Sequence, residues 1–254
     1  MNDTVFVAGA TGAIGSALVP LLVRAGYRVV GSTRRPERAA ALEAMGALPV
    51  IVDVFDAPVL MQAVRHAEPT IVVHQLTDLP PTLDPAQMAD AVGRNARVRD
   101  EGTRNLLGAA LVAGAKQFVA QSIAWAYAPG EKPYVESQPL DLAAQGARAI
   151  SVSGVASLER QVLANPALRG SVLRYGNLYG PRTGRDAPHG ASPLHVEAAA
   201  WAALLAVQRA ATGAFNIAED GSEVSSMRAK DELSWDPGLR APQHDVAEAA
   251  KAGR

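Results

Sequence analysis

Near the start of the chain, Gly9-Ala10-Thr11-Gly12-Ala13-Ile14-Gly15 sets three glycines at the spacing Gly-x-x-Gly-x-x-Gly. Between a strand and a helix, such glycines have separate tasks. The first permits a tight turn, the second lets backbone approach a pyrophosphate, and the third lets the helix pack closely on the strand. The helix N-terminus, with the backbone of Thr11, Ala13 and Ile14, then faces the negative charge. An apolar run from Thr4 to Ala8 precedes the turn, and Leu18, Leu21 and Leu22 follow it at helical spacing. In that context the turn reads as a dinucleotide site, against the alternative of a structural turn that binds nothing.

At the end of a second strand, folds that prefer NAD usually place an acidic residue on the ribose 2′-hydroxyl. Here the chain has Thr33-Arg34-Arg35. A carboxylate repels a 2′-phosphate, whereas a guanidinium binds it bidentately and stacks on adenine. The expected cofactor is therefore NADP(H) in preference to NAD(H), with Arg34 and Arg35 as contacts. The bland alternative is a solvated arginine pair at a helix start. Asp53 and Val54, where a third strand is expected to end, are placed to meet the adenine edge, although a loop-capping aspartate would look the same. Gln75 and Leu76, beyond a fourth strand, complete the expected cofactor contacts.

Three side chains are candidates for chemistry. Ser122 is placed at the C-terminal end of a parallel strand, where ligands bind in open α/β sheets. Tyr127 lies just beyond it as the best acid, with Trp125 as an apolar wall, and Tyr175 ends a sixth strand. Each has a structural reading as well: a capped strand end for Ser122 and buried packing for the tyrosines, an unassisted phenol being a poor base. His195 could shuttle protons but stands at a helix start. With His189 it forms no metal pattern, and no metal is expected. The chain contains no cysteine, which excludes disulfides and thiolate chemistry.

The elements that must position these residues alternate regularly. Strands are expected at Thr4–Ala8, Arg28–Ser32, Pro49–Val54, Thr70–His74, Gln117–Gln121, Ser171–Tyr175 and Ala214–Ala218. Helices are expected between them, including Arg38–Met45, a long helical region ending near Gly114, and Ala149–Leu163. A proline-rich loop runs from Leu79 to Pro85. This pattern predicts an α/β fold, a doubly wound parallel sheet of Rossmann type with a small C-terminal substrate lobe. The dinucleotide-binding domain spans 1–178 with 195–218 returning to it, and the lobe comprises 179–194 and 219–254. The 254 residues carry a formal net charge of -1, which draws the chain to neither nucleic acid nor anionic membranes. Met1 to Thr4 lacks a signal-peptide pattern, so the expected location is cytoplasmic.

In chain order, the motifs resemble those of the extended and atypical short-chain dehydrogenase/reductases, the group containing NAD-dependent epimerases and dehydratases. They run from the glycine turn and Asp53 through Val72-Val73-His74 and Glu101-Gly102-Thr103-Arg104-Asn105-Leu106-Leu107. Ser122, Leu173-Arg174-Tyr175-Gly176-Asn177-Leu178-Tyr179-Gly180-Pro181, His195-Val196-Glu197 and Phe215-Asn216-Ile217 follow, with a closing segment from Ser225 to Pro237. The resemblance implies that Ser122 hydrogen-bonds substrate and that Tyr175 lies near the nicotinamide.

It also implies a Tyr-x-x-x-Lys pair, which this chain lacks. Aligning Glu159 with the family's helix puts Ser151 at the tyrosine position and Val155 at the lysine position. None of the 5 tyrosines has a lysine four residues later. Arg99 takes the place of an asparagine before Gly-Thr, and the segment between Pro181 and His195 is short. The expected function is reduction of a small carbonyl-type or unsaturated substrate by an NADP(H)-dependent enzyme. The alternative is a non-catalytic NADP(H)-binding redox sensor or regulator. A homodimer through the helices near Val92–Ala113 and Ala149–Leu163, with Gly154 and Ala156 allowing close approach, is the expected assembly, although both would also suit packing within the chain.

Overall fold

The computed structural model describes residues 3–80 and 85–240. Met1 and Asn2, most of the proline-rich loop and 241–254 of the expected lobe lie outside them. Seven strands form one parallel sheet: β1 (Thr4–Ala8), β2 (Arg28–Thr33), β3 (Leu48–Ile51), β4 (Ile71–His74), β5 (Gln117–Ile123), β6 (Arg169–Tyr175) and β9 (Gly213–Ile217). Their order across the sheet is β3-β2-β1-β4-β5-β6-β9. The central strands are apolar on both faces because helices cover both. On one side α1 (Ala13–Arg24) and α7 (Val196–Arg209) pack on Val5, Val7, Val73, Leu173 and Phe215. On the other, α3 (Ala57–Ala67), α5 (Thr103–Val112) and α6 (Gly146–Leu163) cover Phe6, Val72, Phe118 and Val172.

Several boundaries differ from the sequence expectation. β3 stops at Ile51, so Asp53 does not end a strand. The chain leaves the ladder after the Val52 N–H bonds Thr33 O, and Asp53 Oδ1 accepts the Phe55 N–H at 2.9 Å. Ser122 lies within β5, because pairing with β6 continues to Ile123 opposite Tyr175. Pro36 opens a 3-10 turn, Pro36–Arg38, before α2 (Ala39–Ala44). The long helical region is two helices, α4 (Pro85–Arg97) and α5, joined by a π-turn over Val98–Gly102. A short parallel pair, β7 (Asn177–Tyr179) with β8 (Pro193–His195), was not legible, since three-residue strands carry no readable period.

The tail turns back onto the domain. Helix α8 (Met227–Leu233) buries Ala229 and Leu233, and Trp235 is 2% exposed with its indole N–H on Ala198 O. Gly154 is needed inside the chain, where a β-carbon on it would lie 2.9 Å from Ala96 Cα of α4.

Candidate functional site

The glycine turn connects β1 to α1 at the C-terminal edge of the sheet. Gly9 has a φ of +85°, in the left-handed region, and a β-carbon there would meet the Gln75 carbonyl at 2.7 Å. Its own carbonyl accepts the Gly12 N–H at 3.0 Å. Gly12 caps α1 without any side-chain hydrogen bond, so the first N–H groups of the helix are free to face an anion. Gly15 packs onto the turn so tightly that a β-carbon would stand 2.2 Å from Gly9 O. The adjoining Gln75 is buried, and its Oε1 has no donor among the described residues. An uncapped helix end, a backbone that tolerates no side chain and an orphaned acceptor fit a bound dinucleotide.

Arg34 and Arg35 are both exposed past β2. Arg34 pairs with Asp78 at 3.3 Å, and Asp78 also lies 3.7 Å from Arg94. Two further arginines reach the turn from afar. Arg38 Nη1 donates to Thr11 O at 3.2 Å, and Arg182 Nη1 to Ser16 Oγ of α1 at 2.9 Å. The sequence reading missed both. Arg182 carried no signal, because 166 residues separate it from its partner.

At the other end of the edge, the row Ser122, Arg174 and Asn216 crosses β5, β6 and β9 in register on the α6 face. Glu159 descends on it from α6. Its Oε1 accepts from Ser122 Oγ at 2.8 Å and from Arg174 Nε at 2.9 Å, and its Oε2 accepts from Arg174 Nη2 at 2.7 Å. Arg174 Nη1 also donates to Tyr127 Oη at 2.7 Å, and that phenol donates to Asn216 Oδ1 at 2.7 Å. Asn216 Nδ2 donates in turn to Tyr134 O and Ser225 O. Tyr134 stacks on Tyr127. The hydroxyls of Ser122 and Tyr127 are thus committed to a closed polar network, and both residues are 3% exposed. Burial raises the Tyr127 phenol despite Arg174 beside it. A signal for this cluster existed: charged residues on an all-apolar strand or helix face are almost never buried unless paired.

Tyr175 points to the opposite face, among α1 and α7. Its hydroxyl accepts from Gln75 Nε2 at 3.3 Å, and complete burial pushes its pKa far above the ordinary phenol value. It is therefore a neutral positioning contact to the residue under the glycine turn. The structure brings Gly9, Gln75 and Tyr175 together. It keeps Ser122 and Tyr127 with each other through Glu159 and Arg174, on the other face.

On that same face His74 ends β4. Its Nδ1 accepts the Leu76 N–H at 3.2 Å, so Nε2 carries the hydrogen that meets Thr103 Oγ1 at 3.1 Å. Burial, with Arg99 nearby, lowers its pKa to about 4. Helix α6 presents Ser151 and Val155, both buried, and contains neither tyrosine nor lysine. His195 caps α7, accepting the Glu197 N–H, with its ring edge-on to Tyr179. Tyr179 donates to Glu219 at 2.6 Å. Among the described residues no cluster of histidine and carboxylate side chains could hold a metal, and no helix is long and apolar enough to cross a membrane.

Residues 5–218 match the family model described as the NAD dependent epimerase/dehydratase family. A Streptomyces protein named 3-diazoavenalumate denitrifying reductase is 41% identical over 237 residues, 85% of this chain and 76% of that protein. UDP-glucose 4-epimerase from Thermotoga maritima, solved with UDP-glucose, has a TM-score of 0.75 at 20% identity, over 93% of this chain and 94% of the epimerase. A Bordetella bronchiseptica enzyme solved with NAD gives a TM-score of 0.72 at 19% identity, over 95% and 91%. The chain thus shares its fold with these enzymes.

Proposed function

Because the chain belongs to the NAD-dependent epimerase/dehydratase family, we propose that it is an NADP(H)-dependent reductase acting on an acid that carries an aryl diazonium group, and that it delivers hydride without supplying a proton. The observation that carries this reading is α6, which contains neither tyrosine nor lysine and buries Ser151 and Val155, the two residues that the family resemblance aligns with the usual acid/base pair. The same helix seals Ser122 into the Glu159 network, and no candidate hydroxyl is left exposed to serve as donor. A site built this way suits a reduction that needs no acid. Bound NADPH would supply hydride, and replacing the nitrogen of a diazonium carbon by hydride forms a C–H bond, breaks the C–N bond and releases N2 with no proton consumed. The relative named a denitrifying reductase of a diazo compound supports that chemistry.

In this reading the chain's own residues bind, orient and exclude water. Gly9, Thr11, Gly12, Ala13, Ile14 and Gly15 hold the pyrophosphate, while Arg34 and Arg35 take the 2′-phosphate. Asp53 and Val54 border the adenine, and Gln75 and Leu76 line the way to the reacting end. Tyr175 fixes Gln75 in place. Ser122 and Tyr127 form a rigid wall, not an acid. Residues 179–194 and 219–240 cover the substrate end, where Arg182 ties the loop after β7 to α1.

The test is anaerobic incubation of the protein with the diazonium salt of 3-aminocinnamate and NADPH deuterated at C4, against a protein-free control. Cinnamate carrying deuterium at the former diazonium carbon, with N2 released well above the control rate, is the expected result. Equal rates with and without protein would sink the proposal. If NADPH binds but neither this substrate nor a panel of small carbonyl compounds is reduced, the non-catalytic sensor takes its place.

A further inference from the structure

Arg99 sits in the π-turn between α4 and α5 and is 8% exposed. Its guanidinium has five N–H donors, and none reaches an acceptor among the described residues by hydrogen bond. None of its nitrogens is among the polar atoms sealed off without a partner, so the fork of this largely buried arginine keeps an opening through which a ligand can meet it. Burial alone drags its pKa down to about 10, against the pull of Glu159.

The protein groups around it leave its donors open. Glu159 is the carboxylate that attracts Arg99, but its oxygens already accept from Ser122 and Arg174. His74 is neutral, with both ring nitrogens engaged. Asp100 turns away to Ser157 and Arg104. Glu136 lies beyond Arg174, where its carboxylate accepts the Asn216 N–H. The π-turn itself is a device that re-aims one residue of a helix, and such turns recur at functional sites.

Location narrows the missing partner. Arg99 lies one turn before Thr103, whose hydroxyl meets the ring of His74, the last residue of β4, at the edge of the sheet where ligands enter in such folds. The anionic groups of a dinucleotide have their own receivers in the α1 N-terminus and in Arg34 and Arg35. We propose that Arg99 binds the carboxylate of the substrate, bidentately through its planar fork, and so selects acids over neutral analogues. This rests on the reductase reading for the identity of the substrate but not for its test, since binding needs no turnover.

The experiment is a calorimetric titration of simple carboxylates, from acetate to cinnamate, into the NADP+-loaded protein. Cinnamamide serves as the uncharged control, and Arg99→Met and Arg99→Lys run alongside. Cinnamate should bind wild type at least about tenfold more tightly than cinnamamide, and Arg99→Met should erase that margin while Arg99→Lys keeps part of it. NADP+ affinity should stay within about twofold, and the melting temperature should hold, because no hydrogen bond among the described residues depends on this guanidinium. Three results overturn the proposal: no carboxylate binds the loaded wild type, the margin survives in Arg99→Met, or Arg99→Met lowers NADP+ affinity or melting temperature. The first two remove the anion site, and the third makes Arg99 a cofactor or framework residue. Carboxylate binding without any reduction would sink the reductase reading alone.

Discussion

Arg174 lays its guanidinium fork-to-fork on Glu159, Nε to Oε1 at 2.9 Å and Nη2 to Oε2 at 2.7 Å, with both side chains only 6% exposed. Removing one partner of a buried pair strands the other charge, which typically costs about 3–5 kcal/mol. Glu159→Gln is therefore expected to lower unfolding free energy by that order in urea titration. It should also loosen Ser122 and Tyr127, which share the same two groups. A loss below about 1 kcal/mol would mean that the network behaves as a solvated surface pair.

His74 gives stability a pH dependence of predictable sign. Its folded pKa is about 4 against 6.5 in the open chain. Between those values the unfolded state binds a proton that the folded state refuses, so stability falls as pH falls from 6.5 towards 4. At about 1.4 kcal/mol per pKa unit, the contribution approaches roughly 3 kcal/mol by the acid end. Above that window this histidine contributes no slope. His74→Gln should flatten the curve over that window relative to wild type, whatever it does to stability at neutral pH. Parallel curves for the two proteins would show that His74 is protonated in the fold.

Gly15 and Gly12 separate packing from ligand approach. A β-carbon at Gly15 meets Gly9 O at 2.2 Å, whereas at Gly12 the nearest atom is the same oxygen at 3.3 Å. Gly15→Ala must push α1 off its strand, an overpacking cost of about 1–3 kcal/mol, and should weaken NADPH binding as well. Gly12→Ala should melt within a few degrees of wild type, yet lose nucleotide affinity by about tenfold or more as its methyl meets the pyrophosphate. Equal affinity in Gly12→Ala would place the phosphates elsewhere.

The sheet was legible because its strands are short apolar runs buried on both faces, and a run such as Thr4–Ala8 has no other home in a folded chain. The glycine turn was legible because its backbone demands are local. What could not be read is what depends on encounter. Glu159 and Arg174 are 15 residues apart, and Tyr127 and Asn216 are 89 apart. The apolar surroundings of Arg174 and Glu159 signal that each must be paired, but nothing in either neighbourhood says which four residues will meet. Ser122 and Tyr127 looked available for chemistry because their types are right, and only the fold shows their protons engaged. Arg99 stands out in the sequence where the family has asparagine, but that no described residue accepts from its guanidinium is a property of three dimensions.

The proposed preference for NADP(H) rests on the arginines after β2. No carboxylate stands at that strand end. Arg35 is exposed, and among the described residues Arg34 is tied only to Asp78 across 3.3 Å at the surface. An exposed pair of that kind is worth about 0–1 kcal/mol, so a 2′-phosphate can take Arg34 from Asp78 at little expense. Arg38, bonded to Thr11 O, stands between them and the glycine turn and adds positive charge along the path. NADPH is thus expected to bind at least about tenfold more tightly than NADH, a margin of about 1.4 kcal/mol. Arg34→Ala/Arg35→Ala should abolish the margin by weakening NADPH alone, and Asp78→Asn should leave it intact or widen it by freeing Arg34. Titration calorimetry with both nucleotides reads all of these at once. A double variant that weakens NADH and NADPH equally would show that these arginines stack on adenine and do not read the phosphate.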